Sequence, residues 1–312
     1  VGILFTAVVQ SSSATTVMVV SFVNSGLMNL YQAAGVILGA NIGTTITGQL
    51  IAFNLSDVAP LFVITGVVMF MFSKKQNTKK IGGVILGFGI LFMGLSTMGD
   101  AMSSLRESPH IVALLKSLSN PFAAILVGFA ITAILQSSSA TVGIVILLAS
   151  QGFLQFTICF YLILGCNMGS CVSALLASLG GKKDAKRAAW IHFLFNIIGS
   201  VAIFIVLLFA LQPIADAIMK VSGGNMGRAV ANAHTLIKIC EVILLFPFMK
   251  WVVRVTYFII PGKDASPDDE YELKYIGNST MITPTTAVIS GIYELEHMGC
   301  LAIENLKRGM DA

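Results

Sequence analysis

Between Lys116 and Lys182 the chain carries no formally charged side chain, and before Lys74 the only one is Asp57. A chain folded in water could not solvate its surface over such stretches. The composition agrees, since 56% of the 312 residues are hydrophobic and 11% charged, against ~25% charged in an average soluble domain. The sequence therefore reads as an all-α integral membrane protein. Its formal charge of +4 comes mostly from short Lys/Arg clusters beside apolar runs. That pattern suits a membrane boundary rather than a nucleic-acid groove, where basic and aromatic residues would interleave, so nucleic acid is excluded as a partner. Cys159, Cys166, Cys171, Cys240 and Cys300 are odd in number, show no CxxC spacing and mostly lie in apolar runs. They read as small core residues rather than disulfides or metal ligands. With Val1 first and no basic segment before the opening apolar stretch, the chain reads as a fragment rather than one carrying a signal peptide.

A spanning helix needs ~20 apolar residues. Candidate membrane elements run over 1–23, 31–53, 58–72, 81–99, 121–149, 156–179, 188–211 and 230–260. The segment 100–119 mixes Asp100, Arg106, Glu107, His110 and Lys116 with Leu and Met, and reads as an interfacial amphipathic stretch. These limits divide the chain into a transmembrane domain, 1–260, and a cytoplasmic tail, 261–312. The tail opens with a linker containing Asp268, Asp269 and Glu270. From 284 it reads as a soluble amphipathic helix with Ile289, Ile292, Leu295 and Met298 on one face.

An internal repeat organises the first domain. Residues 6–15, Thr-Ala-Val-Val-Gln-Ser-Ser-Ser-Ala-Thr, recur at 132–141 as Thr-Ala-Ile-Leu-Gln-Ser-Ser-Ser-Ala-Thr, an offset of 126. The same offset carries Gly26 to Gly152 and the segment 38–43, Leu-Gly-Ala-Asn-Ile-Gly, to 164–169, Leu-Gly-Cys-Asn-Met-Gly. About 17 of 51 aligned positions are identical, far beyond chance with two motifs in register. The first copy occupies about 1–72 and the second about 81–211, with 230–260 as a final span.

Four consecutive polar residues on a helix turning ~100° per residue point all round its axis. Gln10 to Ser13 therefore cannot hide on one face, and some of them must line a polar cavity. Broken helices and re-entrant loops are tolerated at membrane depth only where they face protein or water. The glycines of 39–43 suggest a second break in each copy through backbone freedom; the plainer reading of such clusters is close helix packing. Placing Lys74, Lys75, Lys79 and Lys80 on the cytoplasmic side, together with Lys182, Lys183, Lys186 and Arg187, makes 121–149 a re-entrant hairpin entering from outside. The hairpin containing Gln10 then enters from inside, so the expected architecture is an inverted-repeat transporter with paired re-entrant hairpins and broken helices.

The doubled Gln-Ser-Ser-Ser with Gly39-Ala40-Asn41-Ile42-Gly43-Thr44-Thr45 downstream resembles the type II sodium/phosphate cotransporter family and its bacterial members, over about residues 2 to 250. That resemblance implies sodium-coupled movement of phosphate, with both Gln-Ser-Ser-Ser segments forming the site. It also implies a PhoU-like helical region after the membrane part, of which 271–312 resembles the start. The second copy departs from the first: Val142 replaces Thr16, and Cys166, Ser170 and Cys171 replace Ala40, Thr44 and Thr45, leaving fewer hydroxyls. A helix equivalent to 81–99 would be expected before Val1.

The residue chemistry suits both solutes. Sodium is a hard cation that takes neutral or anionic oxygens, for which Gln10, Thr15, Thr44, Thr45, Thr141 and Ser170 are the candidates. Phosphate needs donors, and half-helix N-termini with hydroxyls and amides supply them. The substrate candidates are Gln10, Ser11, Ser12, Ser13, Gln136, Ser137, Ser138, Ser139, Asn41 and Asn167. The repeat core contains no Arg or Lys, so bound sodium would supply the positive charge. His192 with Asn196, and His234 near Lys238, are further intramembrane polar residues that suggest function.

The expected activity is sodium-driven import of inorganic phosphate across the plasma membrane, with sodium as coupling ion, the lipid bilayer as surroundings and a homo-oligomer as an open possibility. Alternatives are a carrier of sulfate or carboxylates and a phosphate-responsive regulatory protein. An enzyme using Ser11 or Ser137 as nucleophile lacks a nearby His, Asp or Glu base and is set aside.

Overall fold

The first apolar run does not continue as one helix. α1 (Gly2–Val9) ends at Gln10, whose backbone turns into the left-handed region (φ 58°) while its N–H still bonds the Thr6 carbonyl. Ser11 is extended, and its side chain accepts the Ala14 N–H at 3.1 Å to start α2 (Ser12–Asn24). In the second copy α7 (Pro121–Leu135) ends at Gln136 with φ 52°, and Ser137 caps α8 (Ser138–Ser150) by accepting the Ala140 N–H at 3.2 Å. These glutamines are the only non-glycine residues with positive φ among the described residues. A computed structural model provides this geometry and describes residues 1–53, 55–105, 119–262 and 284–310.

After α2 the chain turns at Gly26 (φ 73°), and after α8 at Gly152 (φ 76°). Such values suit glycine, which lacks the Cβ that would clash. α3 (Leu30–Gly43) is opened by a capping box between Asn29 and Gln32, and α9 (Phe156–Gly169) follows in the second copy. Helices α4 (Thr45–Ile51) and α10 (Cys171–Ser178) continue them beyond Thr44 and Ser170. Where the first copy passes into the second, α5 (Ala59–Phe72) and α6 (Gln76–Leu105) form a hairpin. Then come α11 (Lys183–Val221), α12 (Met226–Leu245) and α13 (Met249–Ile259). Residues Val1–Gly262 form one compact unit and Lys263–Ala312 another, the latter containing α14 (Pro284–Met310) with Ile289, Ile292, Leu295 and Met298 exposed.

Among the described residues no strand occurs, and four helical stretches are long and apolar enough to cross a membrane: Leu30–Ile51, Gln76–Ala101, Phe156–Ser178 and Lys183–Val221. Leu61, Ile64, Val68, Ile81 and Val84 on the hairpin are exposed, an apolar surface that fits lipid rather than water.

Several sequence expectations change. The glycines of 39–43 lie inside a continuous α3 and do not unwind it. A Cβ on Gly43 would stand 2.6 Å from the Ile3 carbonyl oxygen, and one on Gly39 2.8 Å from the Ile3 nitrogen. Gly165 and Gly169 meet Phe129 in the same way, and Gly2 and Gly128 press on the carbonyls of Val36 and Leu162. Each glycine therefore serves close approach of the first hairpin helix to the third, the usual reason for small residues between membrane helices. Helix α6 runs on to Leu105, so 100–105 belong to the helix that holds the apolar stretch Gln76–Ala101; the rest of the amphipathic stretch, 106–118, and the linker at 263–283 lie outside the described residues. The expected span 188–211 belongs to a helix of 39 residues, kinked at Ala210 just before Pro213. Pro213 lacks an N–H for the carbonyl four residues back, and its ring crowds that turn. The expected span 230–260 is two helices, separated by a 3₁₀ turn at Phe246–Phe248 built on Pro247.

Substituting Gly43→Val should destabilise the fold by about 3 kcal/mol or more through overpacking against backbone. Gly35→Ala, where an added Cβ meets nothing within 4 Å, should be neutral or slightly stabilising. Thermal unfolding of the two purified variants in detergent checks the contrast.

Candidate functional site

The capped N-termini of α2 and α8 meet. Ser13 Oγ donates to the Gln136 carbonyl at 3.4 Å, and Ser173 Oγ of α10 donates to Ser13 Oγ at 3.2 Å. Thr44 Oγ1, at the start of α4, donates to Ser12 Oγ at 3.3 Å and lies 3.3 Å from Ser139 Oγ, with either of the latter pair able to donate. Thr47 Oγ1 donates to Gln10 Oε1 at 2.7 Å, tying the left-handed turn to α4. The pattern crosses between copies. Ser13 of the first copy leans on α10 of the second, and Ser139 of the second leans on Thr44 of the first.

The cluster is made of hydroxyls, one amide oxygen and a backbone carbonyl. It also receives the start of α2 and of α8, where the first backbone N–H groups have no intrahelical acceptor and carry the positive end of the helix dipole. Donors for an oxyanion and acceptors for a hard cation thus stand in one place.

The expected site residues separate into groups. Gln10, Ser12, Ser13, Ser139 and Thr44 join the cluster. Gln136 takes part through its carbonyl, its side chain being exposed. Ser11 and Ser137 are occupied as helix caps. The hydroxyls of Thr15, Thr45, Thr141 and Ser170 donate to carbonyls three or four residues back, those of Ser11, Ile42, Ser137 and Asn167, and Thr15 also accepts from Thr6 at 3.0 Å. Ser138 is buried.

Asn41 and Asn167 have different partners. On α12, Lys238 and Glu241 are buried, 3.2 Å apart as an ion pair. Lys238 Nζ donates to Asn41 Oδ1 at 2.8 Å and to Asn196 Oδ1 at 2.7 Å. Asn167 Nδ2 donates to Glu241 Oε1 at 3.1 Å, and Ser200 Oγ donates to the same oxygen at 3.4 Å. The repeat-related asparagines therefore hold the two ends of one ion pair. His192 and His234 are buried too; His192 Nδ1 and both ring nitrogens of His234 have no hydrogen-bond partner.

Thr47, Ser173 and Glu241 were not singled out from the sequence, and Lys238 was named only as a neighbour of His234. Thr47 and Ser173 are related by the same offset of 126, so extending the repeat comparison past the glycine motif finds them. Lys238 and Glu241 lie in the run Leu236-Ile237-Lys238-Ile239-Cys240-Glu241-Val242-Ile243. Two opposite charges one helical turn apart in an apolar run signal a buried pair. Helices α1–α4 and α7–α10 supply no cation, but a lysine from α12 stands at Asn41, paired with Glu241.

A cavity of about 360 Å³ lies at the far ends of α4 and α8, lined by Ser96, Asp100, Ser150, Gln151 and Asn225 among apolar side chains.

A Ser13→Cys/Ser173→Cys variant should form a disulfide under mild oxidation, because the parent oxygens are 3.2 Å apart, within the reach of cysteine side chains whose Cβ atoms lie ~3.5–4.5 Å apart. Ser25→Cys/Ser173→Cys should not. Linked peptides seen by mass spectrometry decide it.

The family described as Na+/Pi-cotransporter matches residues 1–100 and again 97–227. The protein YqeW of Bacillus subtilis, which bears no functional name, is 29% identical over 266 residues, covering 84% of either chain. The Escherichia coli protein named "Putative inorganic phosphate export protein YjbB" is 28% identical over 311 residues, which is 99% of this chain and 56% of that one. The chain thus spans little more than half the length of YjbB. Sodium-dependent phosphate transport protein 2A of Ovis aries is 52% identical over 52 residues, 17% of this chain. No solved structure matches at a significant level. With two matches of one family laid end to end over most of its compact first unit, the chain belongs to the Na+/Pi-cotransporter family.

Proposed function

We propose that the chain imports inorganic phosphate together with sodium, as a multi-pass carrier with a cytoplasmic C-terminal tail working by alternating access. The single observation behind this reading is the hydroxyl cluster joining Ser12, Ser13, Ser139, Thr44 and Ser173. It draws on both copies, and it combines oxyanion donors with cation acceptors. In this reading the copies are inverted repeats, and their hairpins enter from opposite membrane faces. The polar-lined cavity beyond α4 and α8 is then an access path.

Coupling follows from charge. The nearby Lys238 is neutralised by Glu241, so phosphate at the hydroxyls gains its compensating charge from sodium. A tenfold sodium gradient supplies ~1.4 kcal/mol per ion, and the membrane potential ~2.3 kcal/mol per 100 mV for each net charge moved. Each solute must then raise the affinity for the other by the same factor.

The name carried by YjbB favours a second reading, phosphate export. A coupled carrier runs in the direction that the summed gradients set, so the two readings differ in working gradients and not in the site.

In proteoliposomes, labelled phosphate uptake should depend on sodium and fall to background when choline replaces it. Arsenate should compete and sulfate or succinate should not. Sodium-independent uptake would remove the coupling, and efflux driven by phosphate alone would support export.

Thr44→Val keeps the shape but deletes the oxygen between Ser12 and Ser139, and should lower uptake at subsaturating phosphate at least ~10-fold, the loss of about one charge-assisted hydrogen bond. Thr45→Val, whose hydroxyl bonds only the Ile42 carbonyl three residues back at the end of α3, should change uptake less than about twofold. Initial rates over a phosphate and sodium grid separate these outcomes.

A further inference from the structure

Lys238 Nζ stands among three oxygens from three helices: Asn41 Oδ1 of α3 at 2.8 Å, Asn196 Oδ1 of α11 at 2.7 Å and Glu241 Oε2 of α12 at 3.2 Å. These oxygens are held there independently of the lysine. Asn41 Nδ2 donates to the Ile37 carbonyl at 2.9 Å, and Asn196 Nδ2 donates to the His192 carbonyl at 3.0 Å. Either amide, if flipped, would lose that bond and present hydrogens to the cation, so both oxygens are fixed toward Nζ. Glu241 is steadied from behind, its other oxygen accepting from Asn167 and Ser200. All of Asn41, Asn196, Lys238 and Glu241 are buried, at 0 to 3% exposure.

Two neutral amide oxygens and one carboxylate oxygen, pre-aimed at a point in a dry interior, form the donor set a hard monovalent cation takes. A buried ammonium needs an acceptor for each of its three N–H groups, so the same three oxygens serve a lysine or a free cation. Burying the pair is costly, and apolar replacement is often neutral or stabilising. We infer that Asn41, Asn196 and Glu241 form a cation site in which the tethered Lys238 ammonium takes the place of a sodium ion, giving the protein one fixed positive charge that is never released or carried. Asn41 lies one turn before Thr44, so the fixed cation also holds the end of α3 that presents Thr44 to the hydroxyl cluster. The inference rests on this oxygen set and not on which solute the protein moves.

Removing the lysine should expose the site to free cations. The full chain is purified in detergent and its melting temperature compared in sodium, ammonium and choline chloride at equal ionic strength. Lys238→Ala is expected to be stabilised by sodium over choline by about 5 °C more than the parent is, with ammonium acting similarly, as for a ligand well above its Kd. Lys238→Met, which fills the space, and Lys238→Ala/Glu241→Gln, which removes the carboxylate, should both return to the parent's sodium increment. The inference is overturned if Lys238→Ala shows only the parent's increment, or if Lys238→Met and the double variant share the enlarged one. It is equally overturned if Lys238→Ala is recovered folded from neither sodium nor ammonium while the double variant folds, since an open cation site would have been filled.

Discussion

The structure depends on a helix that stops and restarts within an apolar run. A break in the apolar interior frees backbone N–H and C=O groups, each costing several kcal/mol unless it is bonded. Two devices of the Gln-Ser-Ser-Ser segment meet that demand. The glutamine takes a left-handed turn while its N–H keeps the carbonyl of Thr6 or Thr132. The serine after it caps the helix that follows. A left-handed conformation costs a residue with a Cβ roughly 1–2 kcal/mol, and it occurs at both equivalent positions. The surroundings must over-determine it. For Gln10 the bond from Thr47 contributes directly, and for Gln136 its carbonyl is used by Ser13 of the other copy.

Around these breaks the packing is close. The glycines at 2, 39 and 43, and their equivalents at 128, 165 and 169, let the first hairpin helix lie backbone to backbone against the third. In lipid, where apolar side chains gain little by burial against one another, such close contact is a main source of helix association. It also fixes where the serines point. A shift of the first helix along the third would separate Ser12 from Thr44, so the same glycines that hold the fold set the geometry of the cluster.

Helix α12 adds what the repeats lack. It comes after both copies and inserts a lysine and a glutamate against asparagines that are equivalent in the two. One asparagine offers its oxygen and the other its amide nitrogen, so a nearly symmetric pair of helices receives an asymmetric partner. Gln49 of α4, which donates to Asn232 and Thr235, joins α12 to the first copy again. The polar side of α12 thus ties the copies together beside the cluster, and adds little net charge there.

Much of this was present in the order of residues. The charge-free runs required lipid, and the polar tetrad required a break, because no helix can turn four consecutive side chains to one side. The repeated spacing required the break twice. Those are local or periodic properties, and a chain carries them before it folds. What the glycine motif does was not of that kind: freedom and close approach leave the same residue in the sequence, and the choice lay with the positions of Ile3 and Phe129 on another helix. The partners of Asn41 and Asn167 were equally hidden, since Lys238 and Glu241 lie 197 and 74 residues away along the chain. A buried charge selects whatever polar groups the packed helices bring to it, and in this protein packing brings Asn41 to the lysine and Asn167 to its glutamate.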